Sequence, residues 1–447
     1  MTATFLQKLP AERAEATLQG RKPLMTEGEA RLEAERCLYC ADAPCTTACP
    51  TTIDVPGFIK RIASGNLRGS ARTIFEQNIL GASCSRVCPV EVLCEGACVY
   101  EAWQHKPIAI GRLQRFATER APADVLVARR APAARRVACV GAGPASLAFA
   151  ATLALDGHAV VVLEQRALPG GLNTTGVAPY KLHADASLRE VERVRALGVE
   201  IRTGVEVGRD VAAAQLLAEN DVVFLGLGLG DDARLGVPGE DGPGVVGATA
   251  WIERMKLASG GRPALGRVVV VGGGNTAIDV ARECALLGAT EVTLVYRRDV
   301  DAMSGYAHEM NAARVDGVKL IVRASPVSIV RDAAGGVVAL RVAVTDKGAP
   351  VSGPERDIPC DLVALAIGQS KLRALARQFP GVALDARGCL VANPSTGATG
   401  NAKVFSGGDC VNGGKEVVNA VAEGRDAARS LLARWSRDRL QTRHAGA

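Results

Sequence analysis

Residues 137–165 read VACVGAGPASLAFAATLALDGHAVVVLEQ. A short β-branched run, a glycine-rich turn, an alanine-rich helical stretch and a second β-branched run follow in that order, which is the pattern of a βαβ unit on a parallel sheet. In this frame Gly141 permits the tight turn. Gly143 lets the backbone approach a pyrophosphate at a helix N-terminus, and the small Ser146 allows close packing of helix on strand. Glu164 ends the second run, where a carboxylate accepts from ribose hydroxyls and disfavours a 2′-phosphate.

The same device returns at residues 267–298, RVVVVGGGNTAIDVARECALLGATEVTLVYRR. Gly272, Gly274 and Ala277 hold the three fingerprint positions. The second run ends in Arg297 and Arg298, with no acid in the place of Glu164. Two guanidiniums suit the 2′-phosphate of NADPH; the bland alternative is a solvated arginine pair. Two such units imply two dinucleotides, FAD at the first and NADPH or NADH at the second. Pro144, Gly171 and Leu172 complete the first candidate set, and Asn275 and Thr276 the second. Near the C-terminus, VFSGGD at residues 404–409 reads as strand, turn and helix start, so Gly408 and Asp409 are expected beside a flavin ribityl chain.

Upstream, residues 1 to about 120 are expected to be mostly helical, with apolar spacing at Glu27–Arg36, Val55–Ser64, Leu67–Asn78 and Ile110–Arg120. The Ala-, Pro- and Arg-rich stretch Ala121–Arg136 reads as a linker. Of 13 cysteines, eight fall between Cys37 and Cys98. They form Cys37-x2-Cys40-x4-Cys45-x3-Cys49-Pro50 and Cys84-x3-Cys88-Pro89, then Cys94 and Cys98. Thiolates in such runs select iron–sulfur clusters or zinc, and the C-x3-C-P ending is ferredoxin-like, so two [4Fe–4S] clusters are favoured over structural zinc. Cys139, Cys284, Cys360, Cys389 and Cys410 are isolated, which argues against a disulfide reductase and for buried filler.

Net charge is +6 and the pI about 8.7, with 4% aromatic residues. No basic stripe interleaved with aromatics points to nucleic acid. No apolar run of spanning length and no secretory h-region is visible, so a cytoplasmic protein without membrane association is expected.

Taken together, RCLYCADAPCTTACPTTID, LGASCSRVCPVEVLCEGAC, IGRLQRFATE, GAGPASL, GVAPYKL, VVGGGNTAIDVA and VFSGGDCV give a sequence that resembles the NAD(P)H-oxidising subunit of bacterial dihydropyrimidine dehydrogenase. It is also similar, more distantly, to the glutamate synthase small subunit. The resemblance implies an α/β protein: an all-α iron–sulfur domain, then two Rossmann-like domains, the nicotinamide domain inserted into a discontinuous FAD domain. The boundaries expected are 1–125, 126–243, 244–361 and 362–447. It also implies that Cys37, Cys40, Cys45 and Cys98 hold one cluster, and that Cys49, Cys88, Cys94 and Gln114 hold the other, leaving Cys84 over. Counting thiols alone would instead make Cys84 a ligand.

The family further implies an electron path from NAD(P)H through FAD and the clusters to an FMN- and iron–sulfur-containing partner subunit that reduces uracil or thymine. Hydride transfer from nicotinamide to flavin needs alignment more than proton transfer, so no catalytic acid or base is assigned. Alternatives are a glutamate synthase partner or a related electron-bifurcating transhydrogenase. In those relatives glutamate is expected at the position of Gln114.

Overall fold

The computed structural model describes residues 4–20, 22–128, 135–351 and 353–445. Four helices match the apolar spacing to within three residues: Glu27–Glu35, Val55–Ala63, Leu67–Phe75 and Ile110–Glu119. The first three start on side-chain caps, Thr26, Asp54 and Asn66, each accepting from a backbone N–H of the first turn. Their apolar faces meet in one core around Phe58, Ile59, Leu113 and Phe116, with Cys37, Cys45, Cys49, Cys94 and Cys98 packed at its edge. A shorter helix, Gly81–Val87, carries Cys84 and ends at Cys88.

The segment before this core was expected to belong with it. Instead Phe5 packs into the core of the first βαβ unit, and Ala14 and Leu18 into the core of the second. Part of the expected linker, residues 129–134, lies outside the described residues.

The first fingerprint opens a five-stranded sheet. Its strands are β1 (Arg136–Val140), β2 (Ala159–Glu164), β3 (Glu200–Thr203), β4 (Val222–Leu225) and β14 (Val404–Ser406). The order is β14-β4-β1-β2-β3, and every pairing is parallel. The chain moves outward from β1 to β3, then returns to the other side of β1 for β4. That reversal leaves a crevice beyond the carboxyl ends of β1 and β4, where an α/β sheet binds its ligand.

The second sheet repeats the plan with β5 (Val245–Gly247), β6 (Arg267–Val271), β7 (Glu291–Val295), β8 (Lys319–Ile321) and β13 (Leu362–Leu365). The order is β5-β13-β6-β7-β8, again all parallel. Because β13 sits between β5 and β6, the sheet runs past the expected boundary at 361: Leu362–Leu365 belong to the inserted unit. A residue of β13 is in register with a valine on each side, and that burial on both flanks outweighs the cut suggested by sequence position.

An antiparallel sheet of β9 (Ala324–Arg331), β10 (Val337–Asp346), β11 (Ala349–Pro350) and β12 (Arg356–Pro359) packs beside it. After β14, the helix Val417–Ala445 packs along the helix Pro144–Leu155. None of the helices among the described residues is long and apolar enough to cross a membrane.

Candidate functional site

The two fingerprint turns open into one cleft of about 2150 Å³. Gly141 has φ +87°, and a Cβ there would lie 2.5 Å from the carbonyl oxygen of Gly226, just beyond β4. Gly272 stands in the same relation to Ala366, just beyond β13, at 2.4 Å. Both glycines are therefore required by the switch points themselves. Gly143 differs: it has ordinary φ, and an added Cβ would meet nothing within 4 Å. Space is left open there, over the N-terminus of a 12-residue helix with Pro144 at its start.

Ser146 and Ala277, singled out as fingerprint positions, do not reach the cleft. Ser146 is fully buried and its Oγ would lie 2.1 Å from a Cβ on Gly226; Ala277 is fully buried against Gly272. They serve the site by packing helix close to strand. Pro144, Glu164, Gly171, Leu172, Asn275, Thr276, Arg297, Arg298, Gly408 and Asp409 all line the cleft.

Glu164 sits at the carboxyl end of β2 and accepts from Ala142 N and Arg166 N, both at 2.8 Å. Two oxygens with about four lone-pair sites leave room for ribose hydroxyls. Gly171 approaches the first turn closely: a Cβ on it would lie 2.8 Å from Gly143 Cα. Asp409 is half-buried, and burial pushes its carboxyl up from the usual carboxylate range. Its Oδ1 accepts from Lys415 N at 3.3 Å. This open turn, carboxylate and helix terminus fit a flavin dinucleotide.

Arg297 and Arg298 are exposed at the end of β7, and neither forms an ion pair among the described residues. Arg298 stacks over Tyr296 with its guanidinium 5.5 Å from the ring centroid, and Tyr296 in turn lies under Gly273. Asn275 Oδ1 accepts from Tyr306 N at 2.9 Å, which ties the Ser304–Tyr306 loop to the second turn. No hydrogen bond among the described residues engages its amide donors. Tyr306 OH donates to Glu416 Oε1 at 2.9 Å. Burial pushes the Tyr306 phenol up to about 12 and raises Glu416 as well.

The cysteines fall into two groups. Cys37 faces Cys40 and Cys98, and Cys45 faces Cys37 and Cys98, closely enough that each raises the next; burial is the larger cause and takes Cys45 to about 11. The second group, Cys49, Cys84, Cys88 and Cys94, surrounds a small pocket together with Gln114. Cys88 is pushed up first by its hydrogen bond with Cys84 and then by burial, and Cys94 by burial. Clusters of half-buried thiols that discourage each other's ionisation are what a multi-iron centre relieves, since a bound metal holds thiolates. Gln114 Nε2 donates to Gly81 O at 2.7 Å, and no hydrogen bond among the described residues reaches its Oε1. Cys84 lines the same pocket. The five isolated cysteines are all buried, in keeping with a packing role.

The cleft and the small pocket share a thin wall. Val87 and Pro89 line the cleft, while Cys88 between them lines the pocket. Val417 and Val418 divide in the same way.

Two contacts missed by sequence reasoning dock the cysteine-rich unit. Glu190, on the helix Ala184–Ala196, is buried and accepts from Ala82 N at 2.7 Å, Ser83 N at 2.9 Å and Ser83 Oγ. It therefore caps the helix that leads to Cys88. Arg425, on the C-terminal helix, donates to the carbonyls of Thr51 and Gln77. No local pattern marks either residue, because each acts across more than a hundred residues of sequence.

This fold and site define a flavin- and nicotinamide-dependent oxidoreductase with an iron–sulfur-type N-terminal domain. Residues 14–125 match the family described as dihydropyrimidine dehydrogenase domain II, 4Fe-4S cluster, and residues 135–424 match pyridine nucleotide-disulphide oxidoreductase. The glutamate synthase [NADPH] small chain of Escherichia coli is 34% identical over 91% of this chain and 92% of its own. The NAD-dependent dihydropyrimidine dehydrogenase subunit PreT of the same organism is 35% identical over 92% of this chain and 95% of its own. Among solved structures, FprA of Mycobacterium tuberculosis in complex with NADPH is 21% identical, with a TM-score of 0.55, over 69% of this chain and 86% of its own. That likeness concerns the fold. The chain belongs to the family of FAD- and iron–sulfur-dependent oxidoreductases that includes the glutamate synthase small chain and the dihydropyrimidine dehydrogenase subunit.

Proposed function

We propose that this chain is the electron-input subunit of a dihydropyrimidine dehydrogenase. In this reading it oxidises NAD(P)H, NADPH being favoured, and feeds an FMN-containing partner subunit that reduces uracil or thymine to the 5,6-dihydropyrimidine. When bound, FAD accepts the hydride and two [4Fe–4S] clusters carry the electrons singly.

The chain's own residues do the holding. Gly143, Glu164 and Asp409 would seat the flavin dinucleotide, and Asn275 and Arg297–Arg298 the nicotinamide dinucleotide. Cys37, Cys40, Cys45 and Cys98 would hold one cluster. Cys49, Cys88 and Cys94 would hold the other, completed by Gln114. The unpaired arginines favour the 2′-phosphate, since a free guanidinium offers bidentate donors without first breaking an ion pair.

The observation that carries the conduit reading is the shared wall at Cys88, where the second thiol group lies one residue from the cleft that both fingerprint turns line. Relatives of both partner classes stand at 34% and 35% identity, so identity does not separate them. Gln114 supports the pyrimidine class: an amide with its donor engaged and its Oε1 uncommitted can offer a neutral oxygen where the other class is expected to offer a carboxylate.

The test is reconstitution. The purified chain is expected to oxidise NADPH with an artificial acceptor and to leave uracil untouched. Uracil reduction is expected on adding an FMN-barrel subunit. Glutamate formation from 2-oxoglutarate and glutamine with a large amidotransferase subunit, and no uracil reduction, would overturn the pyrimidine assignment.

A further inference from the structure

The GVAPYKL stretch at residues 176–182 belongs to neither fingerprint. The segment containing it leaves the flavin side of the cleft at Gly171 and Leu172 and crosses to the nicotinamide unit, where it is held from two sides. Lys256, on the helix Ala248–Leu257, is fully buried. Its Nζ donates to the carbonyls of Asn173 at 2.9 Å, Val177 at 3.0 Å and Leu182 at 2.7 Å. That uses every donor an ammonium has.

At the other end, Lys181 Nζ lies 2.7 Å from Asp279 Oδ1 and 2.8 Å from Glu309 Oε1. Tyr180 OH donates to the same Asp279 oxygen at 2.9 Å. Asp279 is on the second fingerprint helix, Asn275–Leu286, and Glu309 is on Ala307–Val315. Arg282 pairs with Glu309 and with Asp316 behind them. Across the cleft, the Tyr306–Glu416 hydrogen bond joins the Ser304–Tyr306 loop to the residue that precedes the C-terminal helix of the flavin unit.

Buried charges are an expensive way to gain stability, because apolar side chains of similar volume do as well or better. What directional charged contacts supply is a fixed geometry. We propose that segment 172–183 is an interdomain clamp that holds the nicotinamide-binding sheet at one angle to the flavin-binding sheet, with Lys256 and Lys181 as its positioning residues. It rests on reading the two fingerprints as flavin and nicotinamide sites. The two rings then meet in a preformed cleft, and ligands enter and leave through its mouth with no rotation of one sheet against the other.

The experiment is hydrogen exchange on the holoprotein with and without NADP⁺, paired with stopped-flow bleaching of the flavin by NADPH. In the native protein, amides 172–183 are expected to exchange slowly and equally in both states. Lys256→Met and Lys181→Met are expected to raise exchange there at least about 10-fold, leave exchange of strands β1 and β2 and flavin content unchanged, and slow bleaching at saturating NADPH by about 10- to 100-fold, the loss typical of misaligned reacting groups. Apparent NADPH affinity should change little. A merely stabilising role would lower the melting temperature without moving the bleaching rate.

Should Lys256→Met fail to fold, Lys181→Met and the milder Tyr180→Phe decide the matter by the same two readouts. Fast exchange of 172–183 in the native protein, NADP⁺-dependent protection there, or variants with native bleaching rates would overturn the clamp. Absence of bound flavin from the native protein would instead strike the reading of the first fingerprint, and the exchange data would still judge the clamp.

Discussion

Replacing Glu190 with alanine should loosen the cysteine-rich unit without touching a thiol. The carboxylate accepts from Ala82 N, Ser83 N and Ser83 Oγ at the start of the helix that ends at Cys88. Ser83 is buried and Ala82 is partly exposed, so water can replace the carboxylate for one of these residues only. Each buried donor left without a partner costs about 1–3 kcal/mol. The buried carboxyl itself carries a desolvation cost that its removal returns. The net expectation is about 3 kcal/mol.

For a unit of this size a urea slope of about 2 kcal/mol/M turns that into a midpoint lowered by about 1.5 M. The assay is anaerobic urea unfolding followed by the visible absorbance of the iron–sulfur centre. Glu190→Gln, which keeps one acceptor, should lose roughly half as much. A midpoint shift below about 0.3 M for Glu190→Ala would refute the reasoning and make the cap a bystander. There is a pH corollary. Burial raises the Glu190 carboxyl above its ordinary value of 4.5. The proton-linked part of its contribution, which adds to that of the cap hydrogen bonds, is therefore fully present below that value and is lost as pH rises through the raised one. Glu190→Gln should remove this slope.

Other outcomes follow from the same geometry. Gly143→Ala meets no protein atom and should fold like the native chain, yet lower bound FAD severalfold on reconstitution; Gly141→Ala, at positive φ and 2.5 Å from a carbonyl oxygen, should fail to fold. Arg297→Ala with Arg298→Ala should cut kcat/KM for NADPH by about 10- to 100-fold, the worth of one or two charge-assisted hydrogen bonds, and barely alter NADH, as steady-state kinetics will show. Lys256 is depressed by burial from 10.5 to about 8 despite the nearby carboxylates of Glu15, Glu283 and Asp185, with Arg13 opposing them. The unfolded chain therefore binds the extra proton between those values, and stability should rise with pH across that window by at most about 3 kcal/mol. Lys256→Met should flatten that rise in thermal unfolding.

Both parallel sheets were legible from residues 137–165 and 267–298, because a glycine turn between β-branched runs has few other solutions. The N-terminal helices were legible because capping residues and apolar spacing agree. The hairpin of β9 and β10 passed unread, although Asp332–Gly336 is a turn signal. There Asp332 Oδ1 accepts from Ala334 N and Gly336 N. What lay beyond reach is everything that joins the units: Lys256, Lys181, Glu190, Arg425 and the Tyr306–Glu416 bond. Such contacts depend on where distant helices come to rest, and a lone buried lysine or glutamate looks like any other in sequence. Ser146 and Ala277 hold fingerprint positions and act one layer back from the cleft, packing helix on strand as the small side chains at those positions imply.

The most direct test of the electron-conduit account is an anaerobic titration of the purified chain with NADPH, read by visible and electron paramagnetic resonance spectroscopy beside an iron count. The account predicts near-stoichiometric bleaching of a flavin band, a reduced iron–sulfur signal, and about eight irons per chain, as two four-iron clusters require. Flavin with no iron, or with zinc in its place, would contradict it.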